Sequence, residues 1–173
     1  MDLFQKIMKA IARVLFMVRR EMWFCSGMIY WMLNDCWPAA SGWSIIDYYN
    51  KPKDAYYAFK RCAKQLVISI DREDGEYRLH VSNQGEATPG AGIRVSIVSA
   101  KSVNEIFSAG YDVPAACTSI VWHDRLTLSE GEFLVAEIDS NMGSDRTFYR
   151  EGALDIVPRI SKCPQIPQTA PSP

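Results

Sequence analysis

The sequence predicts an α+β chain in which a helical, aromatic-rich first third precedes an all-β domain. Three observations predict it. Apolar residues recur at helical spacing from Leu3 to Val18. One unbroken apolar run, Met28 to Leu33, stands between turn-forming segments. From Lys64 onward the pattern changes to short alternating segments separated by Gly, Pro, Asp and Asn.

The first segment carries Leu3, Phe4, Ile7, Ile11, Val14, Leu15 and Val18 on one face, with Lys6, Lys9, Arg13, Arg19 and Arg20 interspersed. A signal peptide places its charge before one apolar run and ends in small residues. Here charge recurs throughout, and the run Val14 to Val18 is too short to span a bilayer. The segment therefore reads as an amphipathic helix, with an interfacial membrane helix as the alternative. Ser26-Gly27 breaks the periodicity, and Met28-Ile29-Tyr30-Trp31-Met32-Leu33 then reads as a strand buried on both faces. It ends in Asn34-Asp35, at the end of a strand where α/β folds place their ligands. A loop from Cys36 to Ser44 holds Trp37 and Trp43, and Asp54 to Lys64 reads as a helix with Ala55, Phe59 and Cys62 turned inward.

Strands follow at Leu66–Ile70, Tyr77–Val81, Ile93–Val98, Cys117–Val121 and Phe133–Ile138, with weaker ones at Glu105–Phe107 and Thr147–Tyr149. Asp74-Gly75 between the first two is a hairpin signal. Gln84 to Ala91 reads as a loop. This many short strands without an intervening helix point to an immunoglobulin-like sandwich. Residues 1–62, 63–160 and 161–173 thus divide into a helical and aromatic region, a sandwich and a Pro-rich tail.

Composition narrows the functions. Lys and Arg total 19 against 20 Asp and Glu, so no bulk attraction to nucleic acid or an anionic membrane is expected. Five scattered cysteines and two isolated histidines offer no zinc cluster and no disulfide framework, and lean toward a reducing compartment. No Walker loop, dinucleotide fingerprint or nucleophile elbow occurs, and no cofactor is expected. The pairs Lys51/Lys53 and Lys60/Arg61 read as solvated charges.

The densest chemistry lies between Tyr30 and Tyr49, where Trp31, Asn34, Asp35, Trp37, Trp43, Asp47, Tyr48 and Tyr49 gather. Aromatic faces stack on the C–H face of a pyranose, while carboxylates and amides pair with its hydroxyls. Tryptophans in a short chain are more often core anchors than ligand platforms, and that is the stronger reading for Trp37 and Trp43. For Trp31, beside the polar pair Asn34-Asp35 at the end of the apolar run, core anchor and ligand platform are even readings. Asp35 and Asp47 as an acid/base pair is the weaker idea, because nothing in their spacing sets the carboxyl separation that glycoside hydrolysis needs. Asp35 could equally cap a turn.

The stretch Gly27-Met28-Ile29-Tyr30-Trp31-Met32-Leu33-Asn34-Asp35-Cys36-Trp37-Pro38 resembles glycoside hydrolase family 2 in its β-mannosidase-like branch. The resemblance continues through Trp43 to Lys53 and Ala55 to Arg61, and Arg19 to Trp23 resembles the element leading in. It implies that residues 1–62 are the final strand, loop and helices of a (β/α)8 barrel, followed by the sandwich. It also implies a retaining β-glycosidase whose two catalytic glutamates lie on earlier barrel strands. Trp31 matches the family's platform tryptophan, and Asn34 and Asp35 match the polar pair at the pocket edge. Met32 stands where the family commonly has a polar residue, and Gly42 reads as a one-residue insertion that shifts Trp43.

A whole barrel takes roughly 250 residues, so this chain is expected to hold only its end, with no catalytic residue of its own and no activity alone. Expected partners are a β-mannoside or related glycoside, and the missing barrel portion or a second copy of the chain on the exposed apolar faces. The alternatives are a non-catalytic carbohydrate- or protein-binding sandwich and one chain of a split glycosidase.

Overall fold

A computed structural model describes residue 11 and residues 14–150 apart from Trp23 and Ala40. The readings on Leu3, Phe4, Ile7, Lys6, Lys9 and Arg13, and on residues 151–173, lie outside the described residues.

The described residues are mostly β, with two helices. Residues 14–20 are helical (α1). The second helix, α2, spans Asp54–Cys62, with Asp54 in its first turn and Lys60 and Arg61 in its last, where each charge complements the helix dipole. Its buried side chains are Ala55, Ala58 and Cys62. It stops short of Lys64, and Phe59 is only half-buried, its ring meeting that of Tyr30 edge-on at 5.7 Å.

Seven strands follow: β1 (Leu66–Glu73), β2 (Glu76–Asn83), β3 (Thr88–Val98), β4 (Val103–Val113), β5 (Cys117–Asp124), β6 (Phe133–Ser140) and β7 (Gly143–Tyr149). They form two antiparallel sheets, ordered β1-β2-β5 and β4-β3-β6-β7. Glu73 pairs with Glu76 across Asp74 (φ 51°) and Gly75 (φ 82°), the left-handed pair that a two-residue hairpin requires. The core between the sheets is built from the inward residues of each strand, among them Ile68, Tyr77, Leu79, Val81, Ile93, Val95, Leu134 and Ile138.

Two strand assignments are corrected. The loop read at Gln84 to Ala91 is shorter, because β3 already starts at Thr88. The segment read as a weak strand at Glu105–Phe107 is the eleven-residue β4. Most of β4 is exposed, so little apolar alternation marks it.

Asp145 ties the two sheets together at one seam. Its carboxylate accepts the backbone N–H of Ile68 on β1 (3.1 Å) and pairs with Lys64 Nζ (2.7 Å). This occupies an amide on an otherwise open strand edge.

A larger correction concerns Met28 to Leu33, read as a strand buried on both faces. The segment joins no ladder, and Ile29, Trp31 and Leu33 are 92%, 79% and 61% exposed. A parallel strand acquires burial from neighbouring strands and covering helices. Among the described residues neither sheet lies alongside it, and only its last residue, Leu33, meets another extended piece, at Ile45 and Ile46.

On the outer face of β1 and β2, Arg78 grips Asp71 through two bonds of 3.0 and 3.1 Å and meets Glu73 at 2.6 Å. Arg20 and His80 approach Asp71 at 3.8 and 3.2 Å. Burial pushes the Asp71 carboxyl up, but the contacts with His80 and Arg78 and the charge of Arg20 outweigh it and hold the pKa well below the carboxylate range. A carboxyl depressed in the folded state stabilises at pH above its unfolded value of about 4 and loses that contribution as pH falls further. Urea unfolding should therefore give a lower stability at pH 3 than at pH 7. Asp71→Asn should remove about 1 kcal/mol of that difference, the scale of a partly exposed ion-pair network. An unchanged pH dependence in the variant would refute this role.

Candidate functional site

The region from Tyr30 to Lys53 is organised by backbone hydrogen bonds between its two limbs. The Leu33 carbonyl accepts the amides of Ile45 (3.2 Å) and Ile46 (2.9 Å), and Asp35 N–H donates to Ile46 O (3.1 Å). Asn34 bridges Ile46 in parallel fashion, Ile46 bridges Pro52 antiparallel, and Lys53 N–H donates to Ile45 O (2.9 Å). Three short extended pieces therefore lie side by side, and the loop between Asp35 and Ser44 is held at both ends. Beneath them Ile45 and Ala55 form a small core, with Tyr30, Ile46, Tyr56 and Phe59 packed on it.

Tyr30 points into that core, and Trp31, next along the chain, is largely exposed. This is the alternation of an extended backbone. The Trp31–Met32 peptide is cis. Asn34 is exposed, and its side-chain amide donates to the Asp35 carbonyl at 3.2 Å.

Asp35 is instead turned inward and only 4% exposed. Its carboxylate accepts the Ser44 hydroxyl (2.5 Å) and pairs with Lys53 Nζ (2.6 Å), while Lys53 also donates to Ser44 Oγ (2.7 Å). Burial pushes the Asp35 carboxyl up, but the bonds from Lys53 and Ser44 and the Lys53 charge prevail, so its pKa lies below the ordinary value. Gly42 closes against this triangle. A Cβ built on it would stand 2.9 Å from Asp35 Oδ1, so only glycine leaves room.

The structure thus brings Asp35 together with Ser44, Lys53 and Gly42. Lys53, read as a solvated charge, is corrected to a half-buried counter-ion. Trp37 and Trp43, read as core anchors, are 65% and 57% exposed. Asp47 serves its own turn, accepting the amides of Tyr49 and Lys51 at 2.8 Å each. One signal for Lys53 was available: an aspartate ending an apolar run needs a cation if it is buried, and Lys51 and Lys53 are nearby in sequence. No cluster of three or more His, Cys, Asp or Glu suited to a metal lies among the described residues.

No family model matches the chain. Over 53 residues it is 47% identical to beta-mannosidase B of Emericella nidulans, a stretch that is 31% of this chain and 6% of that protein. A crystal structure of beta-D-mannosidase from Dictyoglomus thermophilum aligns with 84% of the chain at 27% identity and a TM-score of 0.69, using 19% of its own length. The exo-chitosanase of Amycolatopsis orientalis aligns over 84% at 22% identity and a TM-score of 0.65, a likeness of fold alone. The chain therefore spans less than a fifth of these solved relatives.

Proposed function

We propose, on the premise that this chain is related to the β-mannosidase-like branch of glycoside hydrolase family 2, that residues 1–62 are the end of that enzyme's (β/α)8 barrel and residues 63–160 the sandwich behind it. In this reading the chain contributes one wall of the pocket of a retaining glycosidase acting on β-mannosides or related glycosides. Trp31 supplies a stacking face for the sugar and Asn34 a hydroxyl contact. Asp35 acts as a positioning residue through Ser44 and Lys53, because both are already bound to its carboxylate.

The observation that carries the reading is the 47% identity over 53 residues to a beta-mannosidase. The open face of Ile29, Trp31 and Leu33 supports it further, since apolar side chains alternating on one face are what a barrel strand offers to its neighbours. The same face favours a second form of this reading, in which a separate polypeptide carrying the other barrel strands, or a second copy, covers it. A non-catalytic carbohydrate- or protein-binding sandwich is the remaining reading, with the exposed Trp31, Trp37 and Trp43 on the segment that precedes it.

On its own the polypeptide is proposed to be non-hydrolytic. Asp35 is committed to Lys53, and Asp47 to its turn, so neither is presented as an acid or nucleophile. The purified chain incubated with p-nitrophenyl β-mannoside should release no nitrophenol above the blank. Turnover that follows the protein through successive columns would overturn the proposal.

A further inference from the structure

We infer that the turn from Asp47 to Lys51 carries a second sugar-contact surface, formed by the ring faces of Tyr48 and Tyr49 and the carboxylate of Asp47. The choice of ligand class rests on the glycosidase reading above; the site itself rests on the geometry of the turn.

Four hydrogen bonds fix this turn. Asp47 N–H donates to Lys51 O (2.9 Å) and Asn50 N–H to Asp47 O (3.1 Å), while Asp47 Oδ1 accepts the amides of Tyr49 and Lys51. Asn50 takes the left-handed conformation, φ 62°, that closes it. The two tyrosine rings stand edge to face, 5.3 Å apart at 86°, and are 49% and 65% exposed. Neither belongs to the packed clusters of the molecule. They border an open cleft of about 250 Å³ whose other walls are Pro38, Ala39 and Asp47.

This size is just below the range of about 300–1,000 Å³ for small-molecule sites and suits one sugar ring rather than a large ligand. Aromatic faces held in place lose little entropy on binding. Each tyrosine offers an apolar face and a phenol hydroxyl. Asp47 uses Oδ1 for the turn, and no bond is made by Oδ2 to the described residues, so that oxygen is placed to accept a sugar hydroxyl. A ring of a β-linked oligosaccharide, with an apolar C–H face and hydroxyls at its rim, satisfies this combination.

The test is NMR titration of the full 173-residue chain with β-1,4-mannotriose. Shift changes should centre on Tyr48, Tyr49 and Asp47, and Tyr48→Ala/Tyr49→Ala should weaken binding about tenfold or more. Should that double variant fail to fold, Asp47→Asn keeps an acceptor for the two amides while altering the free oxygen, and should also weaken binding. Changes confined to the Trp31 indole would overturn the turn site and leave the pocket reading standing. No binding by the wild-type chain would overturn the turn site as well. Failure of the pocket reading is read separately, from hydrolysis by a chimaeric enzyme in which this turn can be substituted without touching Trp31.

Discussion

Arg19→Ala is expected to cost about 3 kcal/mol, since a hydrogen bond from a charged donor contributes about 1.5–3 kcal/mol. Arg19 is 3% exposed, and its guanidinium donates to the carbonyls of Cys62 (3.2 Å), Lys64, Gln65 (2.7 Å) and Ser82 (3.1 Å). Those four acceptors belong to the end of α2, the connection into β1, and β2. One side chain therefore joins the N-terminal helix to both the second helix and the sandwich. The backbone carbonyl of Arg19 adds to this by accepting Thr118 Oγ1 at 2.7 Å.

Burial pushes the guanidinium pKa down from its ordinary value, with Cys62 and Asp145 opposing, but an arginine remains charged at any working pH. Alanine would take the guanidinium donor from the Cys62 and Lys64 carbonyls, and a buried carbonyl left unpaired costs about 1–3 kcal/mol, while Gln65 O keeps the Gln84 amide at 2.9 Å. Arg19→Lys should recover only part of the loss, because an ammonium cannot reproduce a planar fork of donors. Urea unfolding of the three proteins checks this. A loss under about 0.5 kcal/mol in the alanine variant, the ordinary range for a surface change, would show that the joint is not held by Arg19.

The second large effect is expected at Lys53. Removing it in Lys53→Ala strands the Asp35 carboxylate in a buried site, and breaking a buried pair from one side costs about 3–5 kcal/mol. The damage should be local, since the network touches the small core around Ile45 and not the sandwich. Amide exchange at Asp35, Ile45, Ile46 and Lys53 should accelerate while β1, β2 and β6 remain protected. The pair Asp35→Asn/Lys53→Met should recover much of the loss, because it removes both charges together. The sign with pH follows from the depressed Asp35 pKa. The lock is complete above the unfolded value of about 4 and weakens as pH falls through the lower folded value. Equal exchange in wild type and Lys53→Ala would remove Lys53 from the account.

Most of the sandwich was legible from the sequence because its strands bury alternate side chains. Leu79, Val81, Ile93, Val95, Leu134 and Ile138 are both the apolar positions of the alternation and members of the observed core. β4 carried little signal because its residues face solvent, so no period separates it from a loop. Lys53 reads as solvated in the sequence, and the burial of Arg19 is not anticipated there, for one shared reason. Each looks like a surface cation among others, and each is buried by contacts with residues distant in sequence, Ser82 for Arg19 and Asp35 for Lys53.

The apolar run Met28 to Leu33 shows the opposite error. Its composition is that of a buried strand, yet composition records the environment a segment suits rather than the neighbours present around it. Of the three residues proposed to contact sugar, Trp31 and Asn34 are exposed at the open edge, whereas Asp35 is held inside by Ser44. Aromatic-plus-carboxylate content singles out this region as the candidate site. It could not tell which carboxylate faces outward.

The 53-residue stretch similar to beta-mannosidase B is proposed to be a working barrel end. The direct measurement replaces that stretch in the Emericella nidulans enzyme with the one from this chain and assays hydrolysis of an aryl β-mannoside. The account predicts a folded chimaera that hydrolyses the mannoside, with kcat/KM lowered about a hundredfold or more when Trp31→Ala is added, the scale lost when a substrate-positioning group is removed. A folded chimaera without activity, or one indifferent to Trp31→Ala, would contradict it.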